Sequence, residues 1–500
     1  MKPNPEHKLR WKILRWSLIG LACLVTVAGF IVTEINWRAR RDWLNYQQVS
    51  AARGEKLDMS ACTPPEVRDT ENFFAAPIVA GALKAVQNES SARTPIDFDI
   101  YRGDSELWPK HGRNWQRGRL TDLTEWQQYF RNYSKSPAGQ TNGFPMTPEP
   151  QTPAKDVLLA LSVFNPVLEE LRAASERPYA RMPLDYQDGL EQVGSFLPWL
   201  AVQKRSAQFL QLRVLAELQA GQGQAALEDE KLALRLIDTS RNQPFLISHL
   251  VRLAMTAIAI QPIYEGLVQH QWNDAQLAEL EALLARSDYL ADFQTSMRGE
   301  RSCAINAFEK LRITRQSVST GPMGTETNSL WWVPSAYFYR NELAFAQMYQ
   351  QIVIPLVDLT NHTVSVTALN QSEQACKELL NRYWPFTLQA LQLFPSVSKS
   401  VLRFAMIQTQ INLARVACAL ERYHLAKGDY PKSLDELSPQ FVDKLPHDLI
   451  NGQPLHYQRT DDGKFILYSV GANEKDDGGK VVLGKQDRVD WQAGDWVWKN

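Results

Sequence analysis

SAQFLQLRVLAELQAGQGQAALEDEKLALRLID, residues 206–238, is the clearest indication of the fold class of this chain. Apolar side chains recur every three or four residues on both sides of AGQGQ, a spacing typical of amphipathic helices. Gly221 and Gly223 interrupt that spacing where the chain needs a turn. Small side chains lie where the two helices are expected to cross or to begin, at Ala216, Ala220, Ala225 and Ala226. The segment predicts a helical hairpin in a mainly α-helical protein.

The hairpin allows two interpretations. It resembles a tetratricopeptide-type unit, which stacks with further copies around one continuous core and leaves a concave groove. It also suits an ordinary hairpin in a globular bundle, because no second copy follows at the repeat period of about 34 residues. Helical spacing dominates residues 154–394, where we expect a large helical domain of either form. Residues 37–153 are expected to continue the N-terminal helix and then to become an irregular segment rich in Pro and Gly.

An uncharged apolar run lies near the N-terminus, from Ser17 to Thr33. Trp16 and Trp37 bracket it, at positions where tryptophan is enriched at the membrane–water interface. Because about 20 mainly apolar residues cross a bilayer, residues 17–36 are predicted to form one transmembrane helix. No A-x-A-like cleavage site follows the run, which argues against a cleaved signal peptide.

The charges that flank the predicted span indicate its orientation. Five basic residues precede it and three follow it closely: Lys2, Lys8, Arg10, Lys12 and Arg15, then Arg38, Arg40 and Arg41. Basic residues are enriched on the cytoplasmic side of a membrane helix. We therefore expect residues 1–16 to form a cytoplasmic tail. The bulk of the chain is then predicted to lie in the periplasm of a bacterium, held to the inner membrane by one helix.

Composition and motifs argue against several functional classes. The 500-residue chain has a formal net charge of −1, which gives no reason to expect a nucleic-acid partner. Its five cysteines are too scattered for a disulfide framework or a zinc site. The sequence has no P-loop, no G-x-S-x-G elbow, no H-E-x-x-H and no C-x-x-C. No catalytic or cofactor-binding residue is therefore predicted.

Three features of the helical region each have two interpretations. His249 lies in an apolar helix and is expected to be a core histidine, with a ligand role as the alternative. Glu300 and Arg301 suit an intrahelical or buried ion pair, with a catalytic glutamate as the alternative. A run of aromatic residues either anchors a helix start in the core or contacts a partner or the bilayer interface: Trp331, Trp332, Tyr337, Phe338 and Tyr339.

The C-terminal segment from Leu413 to Gly479 combines a helix, a hairpin and an acidic loop. Helical spacing stops at Gly428, which suits a left-handed helix C-cap, and Pro431 cannot continue the helix. Two strand-like stretches flank TDDG, in which Asp462–Gly463 is a strong hairpin-turn signal. The loop NEKDDGG then supplies short oxygen-bearing side chains at Asn473, Asp476 and Asp477.

This pattern resembles the globular head of the major pseudopilins of type II secretion systems. In that family a helix ends at a Gly-x-Tyr-Pro turn and a strand ends in YSxGA, matched here by GDYP at 428–431 and YSVGA at 468–472. An acidic, Gly-rich loop that holds calcium follows. The resemblance implies a small α+β module at residues 395–500 and calcium bound through Ser469, Asn473, Asp476 and Asp477. By spacing alone, the same loop is typical of a solvated acidic turn.

The chain differs from a pilin subunit at its N-terminus. Prepilins carry a Gly cleavage site before their apolar helix and a Glu near its start, whereas Glu34 follows the apolar run here. The helix before Gly428 is therefore expected to join the helical domain as part of one body. Its apolar side chains should be buried against that domain, including Leu402, Met406, Leu413, Val416 and Leu420.

These observations favour a non-catalytic binding or scaffold protein of the cell envelope with an unknown protein partner. The resemblance suggests a place beside a secretion or pilus-like assembly, and the middle of the chain is similar to uncharacterised membrane-anchored bacterial proteins. The alternative is an envelope hydrolase with its site in the helical domain. Converging carboxylates or histidines in a pocket would favour the enzyme, and an open groove would favour binding.

Overall fold

The computed structural model of this protein describes residues 5–87, 94–103, 105, 108–109, 115–321, 324–382, 398–485 and 489–500. The protein is mainly α-helical, with a long apolar N-terminal helix and several small antiparallel sheets. This part of the predicted fold class is confirmed.

Helices come first along the chain, and most strands lie at its C-terminal end. The α-helices are α1 (Pro5–Ala52), α2 (Pro77–Gln87), α3 (Leu123–Lys135), α4 (Pro137–Asn142), α5 (Pro153–Leu161), α6 (Asn165–Ser175), α7 (Val193–Gln219), α8 (Gly223–Asp238), α9 (Leu246–Val268), α10 (Asp274–Leu284), α11 (Tyr289–Thr314), α12 (Ser335–Met348), α13 (Val366–Asn381) and α14 (Ser400–Lys427). The strands are β1 (Gln316–Gly321), β2 (Gly324–Ser329), β3 (Val357–Asp358), β4 (Thr363–Val364), β5 (His456–Arg459), β6 (Phe465–Ser469), β7 (Val481–Leu483), β8 (Val489–Gly494) and β9 (Trp496–Lys499).

The N-terminal helix α1 is long and apolar enough to cross a membrane, and its most apolar window is fully exposed. It is therefore compatible with a membrane anchor. The helix continues past the predicted span to Ala52, where Ala39 and Trp43 are buried against the rest of the protein. Helix α9 also has the length and hydropathy of a span, but most of its apolar window is buried inside the protein.

The predicted helical hairpin is confirmed as α7 and α8. Gly221 has a φ of +73° in the turn between them, a conformation that glycine adopts without steric cost. Ala216 and Ala226 are fully buried where the two helices approach each other. Because α7 also packs against α2, α5 and α9, the hairpin lies inside a group of packed helices.

Residues between the N-terminal helix and α5 contain several short helices and share a core with α7 and α8. Phe73, Phe98, Trp126 and Phe130 are buried in that core. Their packing explains why a segment rich in Pro and Gly still folds, since large aromatic side chains bury much apolar surface. Residues on both sides of the predicted boundary at residues 153/154 contribute to this core.

The C-terminal residues form a helix and two small sheets that pack on the helical domain. Helix α14 ends at Gly428, whose φ of +81° is the predicted left-handed cap. Strands β5 and β6 pair antiparallel across the predicted turn, and β9 pairs with the other edge of β6. The predicted apolar positions on α14 are buried, with Met406 partly so: Leu402, Leu413, Val416 and Leu420.

Two tryptophans of β9 connect this module to the helical domain. Trp496 and Trp498 are both buried, as expected for side chains on one face of a strand. The ring of Trp498 lies 4.9 Å from that of Trp115 and 5.3 Å from that of Tyr264 on α9, measured between ring centres. Trp498 thus packs on the helical domain.

Candidate functional site

The predicted calcium ligands lie in and beside the loop that follows β6. Asp476 accepts hydrogen bonds from the Tyr468 hydroxyl at 3.0 Å and from the Gly478 N–H at 2.9 Å. The Gly478 N–H holds the pKa of Asp476 below its ordinary value. Asp477 accepts a hydrogen bond of 2.7 Å from the side-chain amide of Asn473. The two adjacent aspartates therefore have different partners.

A carboxylate between β8 and β9 closes this loop. Asp495 is buried, and its two oxygens accept hydrogen bonds from three backbone N–H groups: Asp477 at 3.2 Å, Gly479 at 2.7 Å and Lys480 at 3.3 Å. Burial raises the pKa of Asp495, although the N–H donors oppose that shift by favouring the charged form. Asp495 holds the loop in its bent shape.

Calcium needs about six to eight oxygen ligands, drawn from carboxylates, carbonyls and water. Ser469 is buried at the end of β6, and its hydroxyl accepts a 3.3 Å hydrogen bond from the Gly471 N–H. Across the described residues, no group of three or more His, Cys, Asp and Glu side chains is arranged to hold a metal ion. Calcium binding through Ser469, Asn473, Asp476 and Asp477 therefore stays a prediction.

The structure gives His249 and Glu300 structural partners. His249 is buried in α9, its Nε2 lies 2.7 Å from the Gln243 carbonyl, and burial lowers its pKa to about 3. It is therefore the predicted core histidine. Glu300 accepts the Leu246 N–H at 2.8 Å at the first turn of α9. This bond satisfies one of the N–H groups that a helix start leaves unpaired.

Arg301 takes part in a buried ion pair, but its partner is distant in sequence. Its guanidinium lies 3.2 Å from the Glu55 carboxylate and donates to the Lys56 carbonyl at 2.9 Å. The interpretation of Glu300 and Arg301 as an intrahelical pair is therefore wrong. Because the two side chains lie on different faces of α11, one bonds α9 and the other bonds the segment after α1.

One histidine–carboxylate pair was not predicted from the sequence. His270 Nδ1 lies 2.6 Å from Glu421 Oε1, and the Tyr430 hydroxyl donates to Glu421 Oε2 at 2.8 Å. A histidine and the carboxylate that orients it are two of the three members of a catalytic triad. Within the described residues, His270 otherwise contacts the ring of His424, which is not a nucleophile of that triad. The pair is separated by 151 residues, so no local motif indicates it.

Three carboxylates are buried inside the α7–α8 hairpin. Asp229 accepts hydrogen bonds from Arg172 and, at 2.6 Å, from Arg213. Burial, and then the nearby Asp229, raise the pKa of Glu217 to about 8. Burial also raises the pKa of Glu230 well above its ordinary value, and neither of its side-chain oxygens has a hydrogen-bond partner among the described residues. Asp229 and Glu230 are fully buried.

A cleft of about 350 Å³ lies between α7, α9, α14 and the short helical turn Trp115–Arg117. Its described lining contains no ionisable side chain. Amide and apolar side chains line it instead: Gln116, Gln208, Gln211, Gln261 and Gln410, with Trp115, Ala257, Ile258 and Met406. We call it the glutamine cleft. It is built from four separate parts of the chain.

Gln261 fixes one wall of the glutamine cleft. Its side-chain oxygen accepts the Trp115 N–H at 2.9 Å, and its amide nitrogen donates to the Arg119 carbonyl at 3.1 Å. Gln211 donates to the Ile258 carbonyl on α9 at 2.7 Å, which holds α7 against α9. These two amides are therefore used to build the cleft.

Gln410 on α14 is placed differently from these two amides. Only 3% of the residue is exposed, and its side-chain oxygen has no hydrogen-bond partner among the described residues. A buried amide oxygen without a partner costs roughly 1–3 kcal/mol, so such groups usually have one. The missing donor is supplied if a ligand in the cleft carries an N–H or O–H group. Gln410 is thus the side chain most suited to bind a ligand there.

A second cleft, of about 330 Å³, lies between the end of α1 and α11. Three carboxylates line it, and each has a partner within the protein. Glu55 pairs with Arg301, Asp58 accepts the Ser60 N–H at 2.9 Å, and Glu309 lies 3.1 Å from the Arg312 guanidinium. Because these three carboxylates already have partners within the protein, this cleft is a weaker candidate for a ligand site.

Comparison of the chain with protein-family models, with curated proteins and with solved structures finds no match. The resemblance to pseudopilin heads therefore stays a prediction that depends on the sequence motifs alone.

Proposed function

We propose that this chain is a membrane-anchored binding protein of the bacterial cell envelope, with the glutamine cleft as its ligand site. The observation that supports this proposal concerns Gln410. This residue lines the cleft, and its buried side-chain oxygen has no hydrogen-bond donor among the described residues. A cleft without an ionisable side chain in its described lining has no group for general acid–base catalysis, which favours binding over hydrolysis.

The lining favours an uncharged segment of polypeptide as the ligand. A glutamine side chain offers both N–H donors and a C=O acceptor, the two groups that a peptide backbone also presents. Trp115 is buried between Tyr264 and Trp498, so it offers no exposed ring on which a sugar could stack. Ile258 and Met406 supply apolar surface for small side chains of the ligand.

The proposed location follows from α1 and from the charges around it. The apolar helix suits a single anchor in the inner membrane, and the basic bias before Ser17 favours a cytoplasmic N-terminus with the bulk in the periplasm. The pseudopilin-like motifs at 428–431 and 468–472 support a place beside a secretion or pilus-like assembly. The bound segment would then belong to another envelope protein.

Photo-crosslinking in native membranes tests this function. We expect a photoreactive phenylalanine derivative at Gln208, half-buried in the cleft, to crosslink a polypeptide at an uncharged segment identified by mass spectrometry. Gln224, exposed on α8 outside the cleft, is the matched control position and should give no such product.

The variant Gln410→Leu tests whether the crosslink depends on the proposed hydrogen bond to Gln410. It should abolish the product from position 208 without lowering the melting temperature, because it removes an amide that already lacks a partner for its oxygen. Equal products from positions 208 and 224, or a product unaffected by Gln410→Leu, would contradict the proposal.

A further inference from the structure

Helix α12 runs alongside the membrane-proximal part of α1 in the same direction. The Ala336 N–H donates to the Asn36 side-chain oxygen at 2.7 Å, and Arg340 lies 2.9 Å from Asp42 one and a half turns further on. Trp43 then packs with Leu343. The predicted span ends at residue 36, so α12 starts at the level where α1 leaves the bilayer. From there both helices run away from the bilayer.

The chain enters α12 from its membrane end. Residues 330–333 form a turn directly before that helix, closed by a 3.0 Å hydrogen bond from the Val333 N–H to the Leu330 carbonyl. Trp331 and Trp332 occupy the two central positions of this turn. They therefore lie at the level of Asn36 or closer to the bilayer.

Hydrogen bonds hold this turn, and within the described ranges its two tryptophans are the most exposed tryptophans outside α1. The Leu330 N–H donates to the Arg315 carbonyl at 2.8 Å, and the Arg315 guanidinium donates to the Val333 carbonyl at 2.7 Å. Trp331 is 78% exposed and Trp332 is 68% exposed. Two large rings that are held in place but uncovered form an apolar patch of the kind that marks a protein or membrane contact.

The end of α11 contributes a third apolar side chain to this surface. Helix α11 runs antiparallel to α12, because Phe308 packs on Phe345 while Arg312 pairs with Glu342. Its C-terminal end therefore points toward the membrane. Ile313 in that last turn is 68% exposed.

Basic and aromatic residues at the adjoining end of α1 extend the same surface. Trp37 is more than half exposed, and the Arg41 guanidinium lies 4.9 Å from the centre of its ring. Arg38 and Arg40 are also exposed on this part of α1. Tryptophan rings flanked by cationic side chains suit the headgroup region, where one end of the ring is apolar and the other is hydrated.

We propose that Trp331, Trp332 and Ile313 insert into the headgroup region of the bilayer that α1 crosses, as a second membrane contact. The inference rests on the anchor in the proposed function and is independent of the ligand cleft. Two contacts, one spanning and one interfacial, prevent the body from rotating about α1. The glutamine cleft is then held at a constant height and orientation above the membrane.

Fluorescence quenching in nanodiscs tests this contact on the full-length chain. The nanodiscs contain phosphatidylethanolamine and phosphatidylglycerol with brominated acyl chains, which quench tryptophans that lie in the bilayer. We expect the double variant Trp331→Phe/Trp332→Phe to lose less emission to quenching than the unchanged chain does. The difference should equal the contribution of two tryptophans that lie in the bilayer. Phenylalanine keeps an apolar ring, so the melting temperature should stay that of the unchanged chain.

Ala285→Trp is the matched control, because it adds an exposed tryptophan next to the opposite end of α11. That end lies about 38 Å along the helix from Thr314, and the new emission should not be quenched. Carbonate extraction tests the anchor separately. A chain released by carbonate has no spanning α1, which would overturn both the anchor and this inference. If the chain stays in the membrane after carbonate extraction and the double variant is quenched as strongly as the unchanged chain, the second contact alone is overturned.

Discussion

The C-terminal module and the α7–α8 hairpin both bury carboxylates, but they satisfy them in opposite ways. In the module, Asp495 accepts three backbone N–H groups, and Asp448 accepts those of Ile450 and Val470 at 2.9 Å each. In the hairpin, Glu230 has no partner for either oxygen among the described residues. The module surrounds its buried acids with N–H donors, whereas the hairpin leaves Glu230 without a donor and burial raises its pKa well above the ordinary value.

The backbone explains this difference. Inside a helix each N–H is already bonded to the carbonyl four residues earlier, so none is left for a carboxylate. Loops leave N–H groups unpaired, and a short acidic side chain can collect several of them. A buried carboxylate between helices therefore needs an arginine, as Asp229 has, or it must hold a proton, as we infer for Glu230.

The largest expected effect tests whether the two regions share one core. Trp498→Ala should lower the free energy of unfolding by about 4 kcal/mol, because it removes a fully buried ring from its contacts with Trp115 and Tyr264. Calorimetry in detergent should show one transition that moves to lower temperature as a whole. The exposed Trp332→Ala is the matched control and should change stability by less than about 0.5 kcal/mol. Two separate transitions would mean that the module is an independent unit.

The next effect concerns the acceptor role of Asp495. Asp495→Ala should cost about 3 kcal/mol, since three loop N–H groups lose a charged acceptor in a buried place. Amide hydrogen exchange should rise at Gly479 and Lys480. Asp461→Ala, at an exposed position of the β5–β6 turn, is the control and should leave both measurements unchanged. A similar loss in both variants would refute the assignment.

Local chemistry made part of this architecture predictable from the sequence. Gly221 and Gly428 marked a helix turn and a helix end because both positions need φ above zero, and both have it. Asp462–Gly463 marked the hairpin, where Gly463 has a φ of +75°. The apolar spacing before Gly428 identified which face of α14 is buried. Each of these predictions depends on residues that are close together in the chain.

The site depends on residues that are far apart, and the sequence did not indicate it. Gln208, Gln261 and Gln410 come from three helices, and glutamine is common on exposed helix faces, so no spacing distinguishes them. Asp495 lies 18 residues after the Asp477 that it contacts. The exposure of Trp331 and Trp332 was one of two open interpretations, because burial depends on which helices surround the turn.

The pH dependence of stability tests the protonation of Glu230 in the α7–α8 hairpin. Below the ordinary Glu pKa of about 4.3, Glu230 carries a proton in both the folded and the unfolded chain. Above it the unfolded chain releases that proton while the folded chain keeps it, so stability falls as pH rises, by about 1.4 kcal/mol per pH unit. Glu230→Gln removes this contribution. Denaturant titrations at pH 5, 6 and 7 should show a smaller decrease with pH in the variant, and equal decreases would mean that Glu230 is ionised in the folded protein.

The smallest expected effect is that of calcium on the acidic loop. Asp495 already holds this loop by accepting hydrogen bonds from the loop N–H groups. A bound ion would therefore order the loop only slightly further. At ten times its Kd, calcium would stabilise the folded chain by about 1.4 kcal/mol.

We expect about 1 mM Ca²⁺, a concentration in the Kd range of extracellular calcium sites, to raise the melting temperature of the full chain above its value in chelator. Asp477→Asn should remove that response, because the exposed carboxylate now shared with the Asn473 amide is the group most able to turn toward an ion. If melting temperatures agree in calcium and in chelator, Asp495 alone closes the loop, and the module needs no metal.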